Sequence, residues 1–110
     1  MNHARALSLI EDARLAMADR GPDSRMDLIL ARLEVDYLRQ LHYRVGERLA
    51  VRSWVARLGT KSFTIRQELV QDGEVALRAD VVMVQFDYAT NATRALSDDE
   101  RARWSRYLAG

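Results

Sequence analysis

Glu11 and Asn2 are the residues near the start of this sequence whose types could do chemistry. A carboxylate such as Glu11 can act as a general base when it faces a cavity and is partly shielded from water. The alternative is that Glu11 is solvated, or that it pairs with Arg14 or Arg5 on the same helix. Asn2 precedes a segment with strong helix propensity, so its side chain could simply cap the free amide groups of the first turn. The residues alone leave these interpretations open.

Lys61 and Ser62 form the second candidate pair. Lys61 is the only lysine of the chain, and it lies in a short polar turn directly before Ser62. An ammonium group supplies a point charge for a phosphate, and a neighbouring hydroxyl can donate a hydrogen bond beside it. A solvated charge at the tip of a turn is the alternative. Arg57 and Arg66 could extend a basic rim around the pair.

Composition argues against several other kinds of site. The chain has no cysteine, which rules out a disulfide scaffold, a thiolate nucleophile and a cysteine-ligated metal. His3 and His42 are far apart in the sequence and have no cluster of carboxylates beside them. No metal site is therefore predicted, and both histidines are interpreted as surface residues.

Net charge and hydropathy argue against nucleic-acid and membrane partners and against secretion. With a net charge of +1 over 110 residues, the chain lacks the basic excess that is typical of nucleic-acid binders. No apolar run approaches the ~20 residues of a membrane span, and Arg5, Glu11 and Asp12 interrupt any signal-peptide core. We expect one domain over residues 1–110, located in the cytoplasm, with no nucleic-acid or membrane partner.

Periodicity predicts the elements that would position these residues. The alanines and leucines of residues 4–19 predict a helix that ends at Gly21-Pro22. Alternation of apolar and polar residues predicts long antiparallel strands, and Asp72-Gly73 predicts a tight hairpin between two of them. Ser97 and Glu100 form a capping box that would begin a short last helix. The predicted strands cover residues 28–38, 49–58, 63–70 and 75–86.

The order of these elements and four short segments resemble the hotdog-fold acyl-CoA thioesterases, in particular their 4-hydroxybenzoyl-CoA thioesterase-like branch. The helix is similar to that family's N-N-A-R and E-E-A-R words at the same spacing, and the other segments are similar to its second strand, its R-x-G-x-x-S-F hairpin and its closing helix. The matching segments are Asn2-His3-Ala4-Arg5 with Glu11-Asp12-Ala13-Arg14, Val35-Asp36-Tyr37-Leu38-Arg39, Arg57-Leu58-Gly59-Thr60-Lys61-Ser62-Phe63, and Leu96-Ser97-Asp98-Asp99-Glu100-Arg101.

The resemblance implies a fold, an activity and an assembly. The fold would be α+β, with an antiparallel sheet wrapped around one long central helix and a short C-terminal helix. The activity would be hydrolysis of an acyl-CoA thioester to CoA and a carboxylic acid, with no cofactor beyond the CoA of the substrate. The partners implied are a second copy in a homodimer joined edge to edge, and through the sheet faces a homotetramer.

The resemblance also assigns roles to the candidate residues. Asn2 and the helix start would polarise the thioester carbonyl, as free amides and the helix dipole stabilise a developing oxyanion. Glu11 would position or activate water. Lys61 and Ser62 would hold the phosphates of CoA.

Two departures from the family pattern bear on the activity. Gln40 stands where many members have proline. The family's first strand and its D-x-x-G-H-V-N-N loop are represented only by Met1-Asn2-His3, which match its last three positions. We therefore expect a chain truncated at its N-terminus relative to the family, with the usual loop aspartate before Met1. The alternative function is then an acyl-CoA-binding protein with impaired catalysis.

Overall fold

The polypeptide forms two helices and five strands in a computed structural model that describes residues 3–18, 28–42, 44, 46–47 and 49–108. The order confirms the predicted succession of a helix, four long strands and a short helix. The additional strand, β5, is a two-residue segment that was not predicted. The bounds are α1 (His3–Ala18), β1 (Leu28–Tyr37), β2 (Ala50–Leu58), β3 (Ser62–Gln71), β4 (Glu74–Asp87), β5 (Ala92–Thr93) and α2 (Asp98–Ser105). The predicted helix stop at Gly21-Pro22 lies outside the described residues.

The strands pair into one antiparallel sheet with the order β1-β4-β3-β2, and β5 pairs with β4. The predicted hairpin between β3 and β4 is confirmed. Asp72 and Gly73 both have positive φ angles, of 56° and 73°, which is the backbone twist that a two-residue hairpin turn requires. The order leaves β1 and β2 at the two edges of the described sheet.

Helix α1 packs on β2 and β3 through small and aliphatic side chains. Ala6 and Ile10 are buried in a cluster that includes Leu69, Leu77 and Val81 of the sheet. The small side chain of Ala6 allows a close approach of helix and sheet, and burial of such apolar surface stabilises the pair. The contacts establish an α+β fold. Wrapping of the sheet around a long central helix is not shown by them and stays a prediction.

A second apolar cluster fastens α2 to the other end of the sheet. Trp104 is buried against Phe63, with ring centroids 4.4 Å apart, and Val55 and Ile65 complete the cluster. The predicted capping box is confirmed: Ser97 accepts from the Glu100 amide, and the Glu100 carboxylate accepts from the Ser97 amide. Neither described helix has the length and apolar character that a membrane crossing requires.

The sheet face opposite α1 carries charged side chains in cross-strand pairs. Glu68 of β3 accepts from Arg52 of β2 and from Arg78 of β4, at 2.9 and 2.8 Å. Arg66 forms a two-point pair with Asp80, at 2.8 and 3.1 Å. Because the side chains that face each other on neighbouring strands carry opposite charges, these pairs stabilise the sheet.

Candidate functional site

The β2–β3 hairpin carries the predicted pair Lys61 and Ser62 at its tip. The Gly59 amide donates to the Ser62 carbonyl at 2.8 Å and closes the turn. A Cβ at Gly59 would lie 3.0 Å from that carbonyl oxygen, so a larger residue would push the turn apart. The glycine therefore sets the spacing of the tip, where the side chain of Lys61 is exposed and that of Ser62 is half-buried.

Three consecutive carbonyl groups of this tip are held by neighbouring segments. Each accepts a hydrogen bond from a residue outside the hairpin, so the backbone is fixed on the side facing β4 and the C-terminal segment. The donors are the Arg101 guanidinium to the Gly59 oxygen at 2.6 Å, the Leu96 amide to the Thr60 oxygen at 2.9 Å, and the Gln85 amide to the Lys61 oxygen at 3.0 Å. The sequence alone gave no sign of these contacts, because the donors are distant along the chain.

A cavity of about 360 Å³ lies beside the tip. The polar residues that line it are Arg57, Thr60, Ser62 and Thr64. Hydroxyl and guanidinium donors next to an exposed ammonium group are suited to binding a phosphate. Arg57 lines this cavity, and its role in a basic rim stays a prediction. Arg66 does not contribute to that rim, since its guanidinium is paired with Asp80.

Of the candidate residues at and near α1, the structure describes Glu11 but not Asn2. Asn2 and the side chain of His3 lie outside the described residues, and Glu11 is exposed on the helix. Exposure means that a single copy of the chain does not shield Glu11 from water, as general-base work would require. The charge of Glu11 acts on its helix neighbour Arg14, whose guanidinium donates to Gln67.

Arg14 joins α1 to the sheet through Gln67. The guanidinium donates to the Gln67 oxygen at 2.9 Å, and the Gln67 amide donates to the Ile10 carbonyl at 2.8 Å and the Ser53 hydroxyl at 3.0 Å. Burial lowers the pKa of Arg14, and the charge of Glu11 opposes that shift. Gln67 is fully buried and its amide has a partner at each end. This network was not predicted, and it fixes the helix that carries Glu11.

Glu11 and Ser62 belong to opposite sides of the sheet within one chain. Gln67 contacts α1, and residues two apart along β3 share a face, so Phe63, Ile65 and Gln67 lie on the α1 side. Ser62 alternates onto the other side. One copy of the chain therefore does not bring the predicted base and the predicted phosphate-binding pair together.

A second cavity, of about 290 Å³, lies at the opposite end of the β3–β4 hairpin and includes His42 in its lining. The backbone of His42 is fixed by the Gln71 side chain, which accepts from its amide at 3.0 Å and donates to its carbonyl at 2.8 Å. Arg44 binds Asp72 at two points, and this hydrogen bonding lowers the pKa of the Asp72 carboxyl. Within the described part of the chain, no three metal-binding side chains come together.

The fold agrees with comparisons to known proteins. A family model of the thioesterase-like superfamily matches residues 1–104, and the chain belongs to that superfamily. A comparison with curated proteins found no match.

Solved structures of thioesterases are similar over nearly the whole chain. A thioesterase of Thermus thermophilus, in complex with coenzyme A and zinc, is 27% identical with a TM-score of 0.84, over 100% of this chain and 82% of that one. A predicted thioesterase of Bacillus stearothermophilus is 26% identical with a TM-score of 0.86, over 98% and 83%. The probable thioesterase YbaW of Escherichia coli, at 21% identity and a TM-score of 0.80 over 98% and 86%, shares the fold.

Proposed function

We propose that this protein hydrolyses an acyl-CoA thioester to CoA and a carboxylic acid. The observation that carries the proposal is the hydrogen-bonded β2–β3 hairpin, which carries Lys61 and Ser62 at its tip beside a cavity lined by Arg57, Thr60 and Thr64. The setting supports it, because the chain belongs to the thioesterase-like superfamily and is similar to a thioesterase in complex with CoA. Lys61 would bind a phosphate of CoA, and Ser62 would donate a hydrogen bond beside it.

The chemistry assigned to α1 is attack by water. Glu11 takes a proton from a water molecule as its oxygen adds to the thioester carbonyl carbon. Amide groups at the start of α1, with Asn2, stabilise the negative charge that develops on the carbonyl oxygen. When the carbon–sulfur bond breaks, the proton passes to the CoA sulfur. These steps need water and a Glu11 side chain that alternates between its ionised and its protonated form. They use no metal or additional cofactor.

A second copy of the chain would complete the site. The edge strand β1 exposes apolar side chains, with Leu30 43% and Leu33 39% exposed, and an open apolar edge is a surface that proteins pair or cover. We place a homodimer at this edge, so that CoA held by Lys61 and Ser62 of one copy presents its thioester to Glu11 of the other. Contact with the second copy would also shield Glu11 from water.

The same assembly accounts for the remaining features of the proposed fold. Joining two sheets at β1 would let the continuous sheet curve around α1 of each copy, which is the hotdog arrangement. The charged outer face, which also carries Trp54 on β2 opposite Arg66, is the surface on which a homotetramer would form. We place the protein in the cytoplasm, where CoA thioesters are available.

The activity is tested with a panel of acyl-CoA thioesters, by release of the CoA thiol, alongside calorimetric binding of CoA. We expect turnover by the wild-type protein and a loss of about 100-fold or more in kcat for Glu11→Gln, with CoA binding unchanged, since general-base catalysis contributes roughly that factor. The control is Asp12→Asn, which alters a neighbouring exposed carboxylate. Binding of CoA without turnover by the wild-type protein would support the binding-protein alternative instead.

A further inference from the structure

We propose that Arg101 of α2 is a positioning residue for the phosphate-binding hairpin, and that it determines affinity for the nucleotide part of CoA. The inference rests on the proposed CoA site at Lys61 and Ser62. It adds an element that the sequence did not connect with binding, because Arg101 lies about 40 residues further along the chain.

Arg101 lies on α2, a helix that is held in place by contacts on both sides of this residue. Glu100 accepts from both terminal nitrogens of Arg94, each at 2.7 Å, and from the Ser97 amide. One turn further on, Trp104 is buried against Phe63 of β3. The first turn of α2 is thereby held at both ends, and Arg101 extends from it toward the hairpin.

The guanidinium of Arg101 is half-buried and donates to the Gly59 carbonyl at 2.6 Å. A hydrogen bond from a charged donor is stronger than one between neutral groups. Gly59 is coupled to the binding pair, because its own amide donates to the Ser62 carbonyl. Movement of Gly59 would therefore move Ser62 and the side chain of Lys61 between them.

Gly59 and its neighbour Thr60 also form part of the wall of the 360 Å³ cavity. Arg101 fixes the first of these residues, and the Leu96 amide fixes the second. The C-terminal segment thus sets the shape of the cavity at two adjacent positions. A site for a phosphate depends on such preorganisation, because donors must be held close to the geometry of the anion before it arrives.

Arg101 is a positioning residue, because its guanidinium donates to the Gly59 carbonyl and does not contact the ligand. The consequence is selective. Loss of Arg101 would weaken binding of ligands that carry the CoA phosphates, and it would leave hydrolysis of a thioester without phosphates unchanged.

The experiment compares Arg101→Met, Arg101→Lys and the control Arg106→Met, which removes an exposed charge from the end of the same helix. Each is assayed with an acyl-CoA and with the N-acetylcysteamine thioester of the same acyl group, and CoA binding is measured by calorimetry. Thermal unfolding confirms that each variant is folded at the assay temperature.

We expect Arg101→Met to raise KM for the acyl-CoA and Kd for CoA about tenfold, with kcat and the truncated thioester within about twofold of wild type. Arg101→Lys keeps a charged donor and should recover most of the affinity, and Arg106→Met should resemble wild type. An equal change for both thioesters, or an equal loss in Arg106→Met, would overturn the inference.

The inference and the proposed function fail in different ways. Wild-type affinity for CoA in Arg101→Met would overturn the inference and leave the proposed function intact. A wild-type protein that does not bind CoA would overturn both.

Discussion

At the scale of single residues, Lys61 carries the proposed contact with CoA through its charge. Lys61→Met should raise Kd for CoA about tenfold and make binding less sensitive to salt, because one phosphate contact is lost and exposed charge pairs are screened. Lys61→Arg keeps the charge and serves as the control. Calorimetry at two ionic strengths measures both effects. An unchanged Kd in Lys61→Met would contradict the assignment.

Gln67 is a buried polar residue whose hydrogen bonds hold α1 on the sheet, so its replacement should destabilise the fold. Gln67→Leu leaves the Ile10 carbonyl and the Arg14 guanidinium without the partners they have in the sheet. We expect the free energy of unfolding to fall by about 1–3 kcal/mol, as measured by urea denaturation. The exposed Gln40 provides the control, since Gln40→Leu should change stability by less than about 0.5 kcal/mol. Equal effects of the two substitutions would show that the buried amide has no special role.

Residues whose partners are close in the chain could be predicted, and residues whose partners are distant could not. Asp72-Gly73 and the Ser97–Glu100 capping box are local signals, and both are confirmed. Arg66 was considered for a basic rim, but its partner is Asp80 on the neighbouring strand. The Gln67 network and the Arg101 contact join segments that are distant in the sequence, and no spacing rule reveals such contacts.

At the scale of elements, the capping box makes the stability of α2 depend on pH. Hydrogen bonding to Arg94 lowers the pKa of Glu100 from 4.5 to about 2, with the Ser97 amide adding to the shift. A carboxyl whose pKa is lower in the folded state stabilises that state above its unfolded value, and the contribution is lost as pH falls from about 4.5 to about 2.

Glu100→Gln should therefore reduce stability near neutral pH and make it less dependent on pH below 4.5. Thermal unfolding measured between pH 2 and pH 7, monitored by circular dichroism, provides the test. Asp99→Asn, in the same first turn, is the control for general loss of negative charge. A parallel pH dependence in Glu100→Gln and wild type would contradict the assigned role of this carboxylate.

Long elements were predicted more fully than short ones, for a physical reason. Strands of about ten residues repeat the two-residue period often enough to identify their faces, and β1 to β4 agree with the predicted ranges. Strand β5 has only Ala92 and Thr93, which is too short for any period. Packing of α1 against β2 and β3 follows from tertiary contacts, so the sequence could predict the helix without showing how far the sheet encloses it.

At the scale of the whole molecule, the two parts of the proposed site lie on different sides of the sheet. In the proposed dimer joined at β1, Glu11 comes from one copy and Lys61 with Ser62 from the other. The exposed Leu30 and Leu33 mark the edge where this contact would form. An assembly of this kind makes catalysis a property of two chains.

Mixing two impaired variants shows whether the site is shared between two copies of the chain. Glu11→Gln and Lys61→Met are each assayed alone at an acyl-CoA concentration too low for the lysine variant to bind well, and then after exchange of subunits in equal amounts. If the site is shared, half of the dimers are mixed and one of their two sites is intact, so activity should return to about a quarter of wild type. Activity that stays at the mean of the two variants alone would contradict a thioesterase site built from two copies.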